Sequence, residues 1–276
     1  MNKAVRKIIR FLSILRSKRI IPIITPVDKD HVLQGKVALV TGGSSGIGLA
    51  IAESFIRSGC RVVIAGTNKE KLEHAQKTIN SDNLATIVIN VRDVKSLSDK
   101  VAEVASLFGS IDILVNSAGV HHKHEFEDMS EEEFDLIMST NIKGTFFMSR
   151  EVIKYMKDNK IHGHILNVSS SSALRPADNP YQMSKWAITG LTKGLARRFY
   201  NDGIIVNAIA PGQTATPMLE VDDKFDISNT YAFAGRYAMP EEIAALATLM
   251  VSGVGDMIVG DTYYITGGSG VVTYNG

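Results

Sequence analysis

Tyr181 and Lys185, four residues apart, are the pair in this 276-residue chain that is best suited to catalysis. On a helix this spacing places both side chains on one face, one turn apart. A free tyrosine has a pKa of about 10 and exchanges its proton poorly near neutral pH. A neighbouring ammonium group favours the phenolate, so the pair predicts a lowered pKa for Tyr181 and general acid or base chemistry.

A glycine-rich turn lies far upstream, between the apolar run 37–40 and a pattern with helical spacing. A buried strand, a turn without bulky side chains and a helix N-terminus form a cradle for a phosphate group, because backbone N–H groups point at the anion. The glycine spacing differs from the common G-x-G-x-x-G fingerprint, and a tight turn without a ligand is the alternative. The residues expected to contact a dinucleotide here are Gly42, Ser44, Ser45, Gly46, Ile47 and Gly48.

Short β-rich runs alternate with longer helical patterns along the chain. This alternation predicts an α/β fold: a doubly wound parallel seven-stranded sheet, or Rossmann fold, with helices on both faces. The nearly continuous apolar runs agree, because strands of such a sheet are buried on both sides. The predicted strands are 37–40, 61–65, 85–91, 111–116, 163–169, 204–209 and 261–265. The predicted helices include 47–57, 69–79, 96–108, 134–156, 181–200 and 241–250.

The composition excludes several classes of protein. A hydrophobic content of 45% and a charged content of 21% are typical of a globular chain. The single cysteine, Cys60, excludes an internal disulfide and is expected to be a small buried side chain. No histidine spacing of the zinc type occurs, so no metal site is predicted. No apolar stretch reaches the roughly 18 residues that a membrane span needs.

The charge is distributed unevenly, which suggests an N-terminal extension. Residues 1–34 carry eight basic and two acidic side chains, a net charge of +6, within a total of +1. Their pattern is that of a basic amphipathic helix, which lies on an anionic membrane surface or covers an apolar patch of the protein. We therefore divide the chain into an extension and linker, 1–34, and a catalytic domain, 35–276.

The chain resembles short-chain dehydrogenases/reductases of the single-domain type from about Lys36 to Gly268, and is similar above all to 3-oxoacyl-carrier-protein reductases. The matching motifs follow the family's order: 41–48, Asn116-Ser117-Ala118-Gly119, Asn141, Ser170, Tyr181 with Lys185, Pro211-Gly212 and Thr216. The resemblance implies an NADP(H)-dependent oxidoreductase that transfers a hydride between the nicotinamide and a carbonyl or secondary alcohol.

The resemblance also assigns catalytic roles. Tyr181 exchanges the proton, Ser170 hydrogen-bonds the reacting oxygen, and Lys185 lowers the pKa of Tyr181 and binds the nicotinamide ribose. Asn141 holds a water in a proton relay, or else serves as a helix-kink residue. Ser169 replaces Ser170 if the alignment of the serine cluster shifts by one residue.

Cofactor residues follow from the same resemblance. Gly66 stands where NAD-using relatives commonly have aspartate, and Thr67, Asn68 and Lys69 offer donors to a 2′-phosphate. NADP is therefore expected, with NAD as the alternative, and a solvated Lys69 is the alternative role for that lysine. The remaining expected contacts are Asn90 and Val91 at the adenine, Asn116, Ala118 and Gly119 along the cofactor, and Pro211, Gly212, Thr214 and Thr216 at the nicotinamide, with Tyr181 and Lys185.

Substrate loops are expected at the carboxyl ends of the strands, at 121–124, 173–180 and 218–237. Arg175 lies between Ser170 and Tyr181, which is compatible with an acidic group on the substrate. An NAD-dependent alcohol or sugar dehydrogenase of lipid or surface-polysaccharide metabolism is the alternative function, and a non-catalytic cofactor-binding regulator a remote one. We expect a small-molecule substrate and no nucleic-acid partner. The protein is expected to be a cytoplasmic homotetramer or homodimer, and peripheral membrane contact through residues 1–20 is the alternative location. Phe146, Phe147, Ile188 and Leu191 are candidate interface residues.

Overall fold

A computed structural model describes residues 31–121, 123–219, 227, 229 and 233–270. The expected N-terminal amphipathic helix lies outside these residues, as do His122 and much of the expected 218–237 loop. None of the helices within the described ranges is long and apolar enough to cross a membrane.

Seven strands form one sheet in the order β3-β2-β1-β4-β5-β6-β7, and every neighbouring pair is parallel. This confirms the predicted doubly wound fold. The strand order reverses between β1 and β4, which is where ligands bind in open α/β sheets. The strands are β1 Val37–Thr41, β2 Arg61–Gly66, β3 Leu84–Val88, β4 Ile113–Asn116, β5 His164–Val168, β6 Ile205–Pro211 and β7 Thr262–Ile265.

Helices pack on both faces of the sheet, because successive strand residues point to opposite sides. In β1, Val40 belongs to one buried apolar cluster and Leu39 to the other. The first cluster includes Phe55 of α1, and the second includes Val152 of α5. The helices are α1 Gly46–Arg57, α2 Lys69–Ile79, α3 Leu97–Phe108, α4 Glu131–Met138, α5 Thr145–Asp158, α6 Pro180–Phe199 and α7 Pro240–Met250.

Two predicted elements differ from the structure. The single helix predicted for 134–156 is wrong: α4 and α5 are separated by a π-helical turn, Ser139–Gly144. The buried side chain of Asn141 in this turn bonds the backbone of Val120, which is a tertiary contact that no helical period reveals. Strand β3 ends three residues before the predicted position 91, because the chain turns at Asn90, whose side chain accepts a hydrogen bond from the N–H of Arg92.

The folded body includes residues before position 35. Leu33 is 1% exposed, and its N–H donates to the carbonyl oxygen of Ser58 at 3.0 Å. Cys60 is buried, as expected, and burial raises the pKa of its thiol to about 12. This thiol therefore stays protonated near neutral pH and serves as a core side chain.

Candidate active site

A cleft of about 620 Å³ runs across the carboxyl ends of the strands at the point where the strand order reverses. One end is lined by the residues that follow β2 and β3, and the other by the serine cluster, Tyr181 and Lys185. The glycine-rich turn lies between them. Nineteen of the expected residues line the cleft: Gly42, Ser44, Ser45, Gly46, Ile47, Gly48, Thr67, Asn68, Asn90, Val91, Ala118, Gly119, Ser170, Tyr181, Lys185, Pro211, Gly212, Thr214 and Thr216.

The turn between β1 and α1 has no room for side chains. A Cβ on Gly42 would lie 2.8 Å from the backbone of Ala118, and one on Gly48 would lie 2.4 Å from the carbonyl oxygen of Gly42. Ser45, the residue that precedes α1 at the N-cap position, makes no side-chain cap, so the first N–H groups of the helix are left to a ligand or solvent. This uncapped helix end in a cleft fits an anionic group such as a pyrophosphate.

The turn after β4 is fixed to β1. The hydroxyl of Thr41 accepts hydrogen bonds from the N–H groups of Ser117 and Ala118, both at 3.2 Å. Asn116 lies behind this turn, outside the cleft lining, where its amide donates to Ser149 and Asn167 at 2.9 Å. The structure thus places Asn116 as a support of the cleft floor, whereas Ala118 and Gly119 line the cleft.

The end of the cleft that follows β2 and β3 is cationic. Lys71 and Arg92 line it, and among the described lining residues there is no carboxylate. The side chain of Lys69 is instead 74% exposed and lies 3.7 Å from Glu73. Asn68 caps α2 by accepting a hydrogen bond from the N–H of Lys71 at 2.7 Å. The cofactor residues expected from the sequence include neither Lys71 nor Arg92, although both lie shortly after a strand end.

Tyr181 and Lys185 occupy the first turns of α6, which Asn179 caps through the N–H of Gln182. The Lys185 Nζ lies 5.4 Å from the centroid of the Tyr181 ring and donates to the carbonyl oxygen of Val168 at 2.9 Å. Lys185 is 7% exposed, and this burial lowers its pKa to about 8. The predicted shared helix face is therefore confirmed, with a buried ammonium group beneath the phenol ring.

The predicted pKa of Tyr181 is wrong for this structure. Burial raises the pKa of its hydroxyl, and a hydrogen bond with the side chain of Ser170 offsets only part of that effect. Desolvation penalises the phenolate more than the nearby hydrogen bond favours it. The Lys185 cation is not among the causes of the shift in the pKa of Tyr181.

Of the two serines considered, Ser170 meets the tyrosine. It begins a short 3-10 turn, Ser171–Leu174, and its hydroxyl accepts a hydrogen bond from the N–H of Ser172 at 3.1 Å. Ser169 also lines the cleft, but its hydroxyl donates to the carbonyl oxygen of Lys185 at 3.1 Å. The geometry therefore directs Ser170, rather than Ser169, toward the phenol.

Asn141 and His121 complete the surroundings of this pair. Asn141 Oδ1 accepts from the N–H of Val120 at 2.9 Å, and Asn141 Nδ2 donates to Ser184 Oγ at 3.1 Å. A Cβ on Gly119 would lie 3.4 Å from Asn141 Oδ1 and 3.9 Å from Lys185 Nζ, so both side chains approach the same glycine. The ring centroid of His121 lies 4.4 Å from that of Tyr181.

Lys123 and His124, farther along the same loop, contact α4. His124 Nδ1 lies 2.6 Å from Glu133 Oε2, and the backbone N–H of Lys123 donates to the same carboxylate. These contacts tie the loop to α4. Of the described histidines in this loop, His121 is the one that lines the cleft.

Comparisons with known proteins agree with this fold and cleft. The family model for short chain dehydrogenases matches residues 36–226. Gluconate 5-dehydrogenase of Gluconobacter oxydans is 36% identical over 244 residues, covering 86% of this chain and 95% of that protein. A 3-oxoacyl-[acyl-carrier-protein] reductase of Rickettsia bellii is 35% identical over 240 residues, covering 86% of this chain and 97% of that protein.

Two solved structures also resemble this chain in fold and sequence. The 3-ketoacyl-(acyl-carrier-protein) reductase of Brucella melitensis, complexed with NADH, has a TM-score of 0.80 at 32% identity and covers 87% of this chain and 100% of its own. A putative gluconate dehydrogenase of Agrobacterium tumefaciens has a TM-score of 0.80 at 27% identity and covers 87% and 98%.

The chain belongs to the short-chain dehydrogenase family. It is therefore an oxidoreductase that acts on CH–OH or carbonyl groups with a nicotinamide cofactor.

Proposed function

We propose that this protein is an NADP(H)-dependent oxidoreductase that interconverts a carbonyl group and a secondary alcohol through Tyr181. The observation that supports it is the hydrogen bond between Ser170 and Tyr181, formed above the buried Lys185 at one end of the cleft. When bound, the nicotinamide supplies or accepts a hydride. The chain's own residues supply the binding site and the proton.

In the reducing direction, Tyr181 donates its proton to the carbonyl oxygen, because its raised pKa keeps the hydroxyl protonated at neutral pH. Ser170 hydrogen-bonds the same oxygen and stabilises the negative charge that develops on it. Lys185, with a pKa of about 8, is cationic at neutral pH and suited to bind ribose hydroxyls. Asn141 and Lys185 both approach Gly119, so Asn141 is near enough to Lys185 to support a water that resupplies the proton.

The test of this mechanism is Tyr181→Phe, which removes one hydroxyl and keeps the ring. We expect turnover to fall by at least about 10²-fold, because proton transfer by a positioned group contributes about 10²–10⁴. The affinity for NADPH, measured by fluorescence titration, should change less than about threefold. Activity within tenfold of the wild type would contradict the assignment.

Preference for NADP is supported by the charge at the adenine end. Lys71 and Arg92 line that end, Gly66 offers no carboxylate, and the described lining residues include no aspartate or glutamate. A 2′-phosphate adds negative charge, which such a site favours. NAD remains the alternative, because a structural neighbour at 32% identity is complexed with NADH.

Lys71→Gln tests this preference. We expect the Kd for NADPH to rise about tenfold while the Kd for NADH stays constant, since only NADPH carries the phosphate that the lysine pairs with. Lys69→Gln is the matched control, because its side chain is 74% exposed and lies against Glu73. Equal effects of Lys71→Gln on both cofactors would refute a role in phosphate recognition.

Two substrate classes follow from the relatives. We propose 3-oxoacyl compounds first, as in the reductases that share the fold and 35% identity. Hydroxy acids related to sugars are the second class, supported by the gluconate 5-dehydrogenase relative at 36% identity. Assays of NADPH oxidation with 3-oxoacyl thioesters, and of NADP reduction with D-gluconate, distinguish the two.

We further propose a cytoplasmic homotetramer whose interface includes α5 and α6. Phe146 on α5 is 45% exposed and Trp186 on α6 is 51% exposed. Two other candidate interface residues belong to the interior of the protein itself. Ile188 is buried, and Phe147 packs against the buried apolar cluster that includes Leu39. The basic N-terminal extension remains part of the proposal: it covers an apolar patch of the protein or of a sister subunit, with contact to an anionic membrane surface as the alternative.

A further inference from the structure

We propose that Arg175 binds an oxyanion, a carboxylate or a phosphate monoester, on the substrate and thereby selects acids over neutral carbonyl compounds. The inference rests on the proposed function and narrows its substrate class. It depends on where the arginine is anchored, on what its guanidinium contacts, and on the charges of the cleft around it.

Arg175 is fixed to both parts of the catalytic site. Its N–H donates to the carbonyl oxygen of Ser172 at 3.2 Å, and Ser172 in turn is bonded to Ser170. Its carbonyl oxygen accepts a hydrogen bond from the indole of Trp186 at 2.8 Å, one turn beyond Tyr181 on α6. The backbone of Arg175 is therefore held between the serine and the helix that carries the tyrosine.

The guanidinium retains donors for a ligand. Its Nη2 donates to Ser269 Oγ at 2.6 Å, which orients the planar group, and within the described part of the chain it forms no ion pair. A guanidinium has five N–H donors arranged as a fork that matches carboxylate and phosphate oxygens. The residue is exposed, and it lines the cleft.

The catalytic end of the cleft contains one other described cation, Lys185, which is 7% exposed and donates to Val168. Arg175 is therefore the exposed one of the two described cations at this end of the cleft. Polar groups of His121, Ser172 and Gln213 line the same end. An anionic hydroxy or oxo acid matches this lining, whereas the acyl chain of a carrier thioester carries no charge. The inference therefore favours the second of the two proposed substrate classes, the hydroxy acids, over the first.

The experiment compares ligands that differ in one charge. The pairs are 4-oxopentanoate with its methyl ester, as oxo substrates, and D-gluconate with D-glucitol, as alcohols. D-glucitol 6-phosphate is added to separate phosphate from carboxylate. Each is measured by turnover with NADPH or NADP, and by the shift in melting temperature of the protein–NADP complex.

Three variants accompany the wild type. Arg175→Gln removes the charge, and Arg175→Lys keeps the charge but loses the fork. Arg197→Gln is the matched control, because it removes an exposed cation of α6 that lies outside the cleft lining. The affinity for NADPH and the melting temperature of the free protein show whether a variant is intact.

We expect Arg175→Gln to lower kcat/KM for the acids, and their affinity for the NADP complex, by about 10- to 100-fold. The same quantities for the neutral partners should change less than about threefold. Arg175→Lys should give an intermediate value, and Arg197→Gln should behave as the wild type. The acid that the wild-type NADP complex binds most tightly, the carboxylate or the phosphate, identifies the oxyanion that Arg175 recognises.

The proposal is overturned if the wild-type complex binds acids no better than their neutral partners, or if Arg175→Gln weakens both members of a pair equally. The proposed function fails by a different result, which is retained turnover in Tyr181→Phe. Selective, Arg175-dependent binding of acids to the NADP complex would support the inference even where a probe is not turned over.

Discussion

At the scale of the residue, burial acts on both members of the catalytic pair. It raises the pKa of Tyr181 and lowers that of Lys185 to about 8. Near pH 7 the phenol is therefore neutral and the amine is still a cation. This protonation state suits donation of a proton to a carbonyl, so we expect reduction to be favoured near neutral pH and oxidation at higher pH.

The buried Lys185 reduces stability, which gives a prediction. Its pKa is about 8 in the folded protein against an ordinary value of 10.5 for lysine, so the unfolded chain binds more protons between these values. The destabilisation is complete below pH 8 and disappears as the pH rises toward 10.5. Lys185→Met should raise the free energy of unfolding at pH 7 by about 2 kcal/mol, after allowing for the lost bond to Val168.

Denaturant unfolding at several pH values checks this prediction. The difference between variant and wild type should shrink above pH 8, and the variant should be inactive at every pH. A variant that is less stable than the wild type at pH 7 would show that the bond to Val168 outweighs the desolvation of the ammonium.

At the scale of the element, the β1–α1 turn is constrained in two ways. Gly46 has φ +55, and a Cβ there would lie 3.4 Å from Thr216 across the cleft. Gly48 lies against the backbone of Gly42, where a Cβ would be 2.4 Å from an oxygen. The first glycine keeps the cleft open for a ligand, and the second allows the turn itself to form.

Alanine at each position should separate these effects. Gly46→Ala should cost about 1–2 kcal/mol of stability, from the left-handed backbone, and raise the Kd for NADPH at least about tenfold. Gly48→Ala should cost more than about 3 kcal/mol, because the clash is with backbone that cannot move aside. Thermal unfolding and NADPH titration measure both. Unchanged cofactor affinity in a folded Gly46→Ala protein would contradict the position of the dinucleotide.

The π-helical turn 139–144 is the other element that positions the site. It interrupts what would be one helix and brings Asn141 beside Val120 and Ser184. Ser184 in turn donates to the carbonyl oxygen of Tyr181 at 2.6 Å. The kink therefore connects the turn after β4 with the catalytic helix, and the kink role and the relay role of Asn141 are compatible.

At the scale of the whole molecule, one cleft collects side chains from turns that are distant in sequence, because all the strands of the sheet are parallel and end at the same edge. Three helices carry exposed aromatic side chains. Phe134 of α4, Phe146 of α5 and Trp186 of α6 are 38%, 45% and 51% exposed. Such side chains favour association with another copy of the chain.

Phe146→Glu tests the proposed assembly. A carboxylate in an apolar interface is left unpaired and desolvated, so we expect the tetramer to dissociate to dimers or monomers at micromolar concentration. Phe126→Glu is the matched control, because Phe126 is 70% exposed but lies in the short turn Phe126–Asp128. Sedimentation velocity distinguishes the species, and a tetramer that persists in Phe146→Glu would place the interface elsewhere.

The sequence by itself determined the seven strands, the bounds of α2 and the shared face of Tyr181 and Lys185. These features depend on local spacing and on runs of apolar residues, which hold in any tertiary context. The order of the motifs was also enough to indicate the family.

Only the tertiary structure decided the direction of the Tyr181 pKa shift, the break in the helix at Asn141, and the lining of the cleft by Lys71 rather than Lys69. It also placed Arg175 between the catalytic serine and the catalytic helix. Each of these depends on what surrounds a side chain in space. Desolvation, a bond to a distant backbone group and the direction of a side chain leave no periodic trace in the chain.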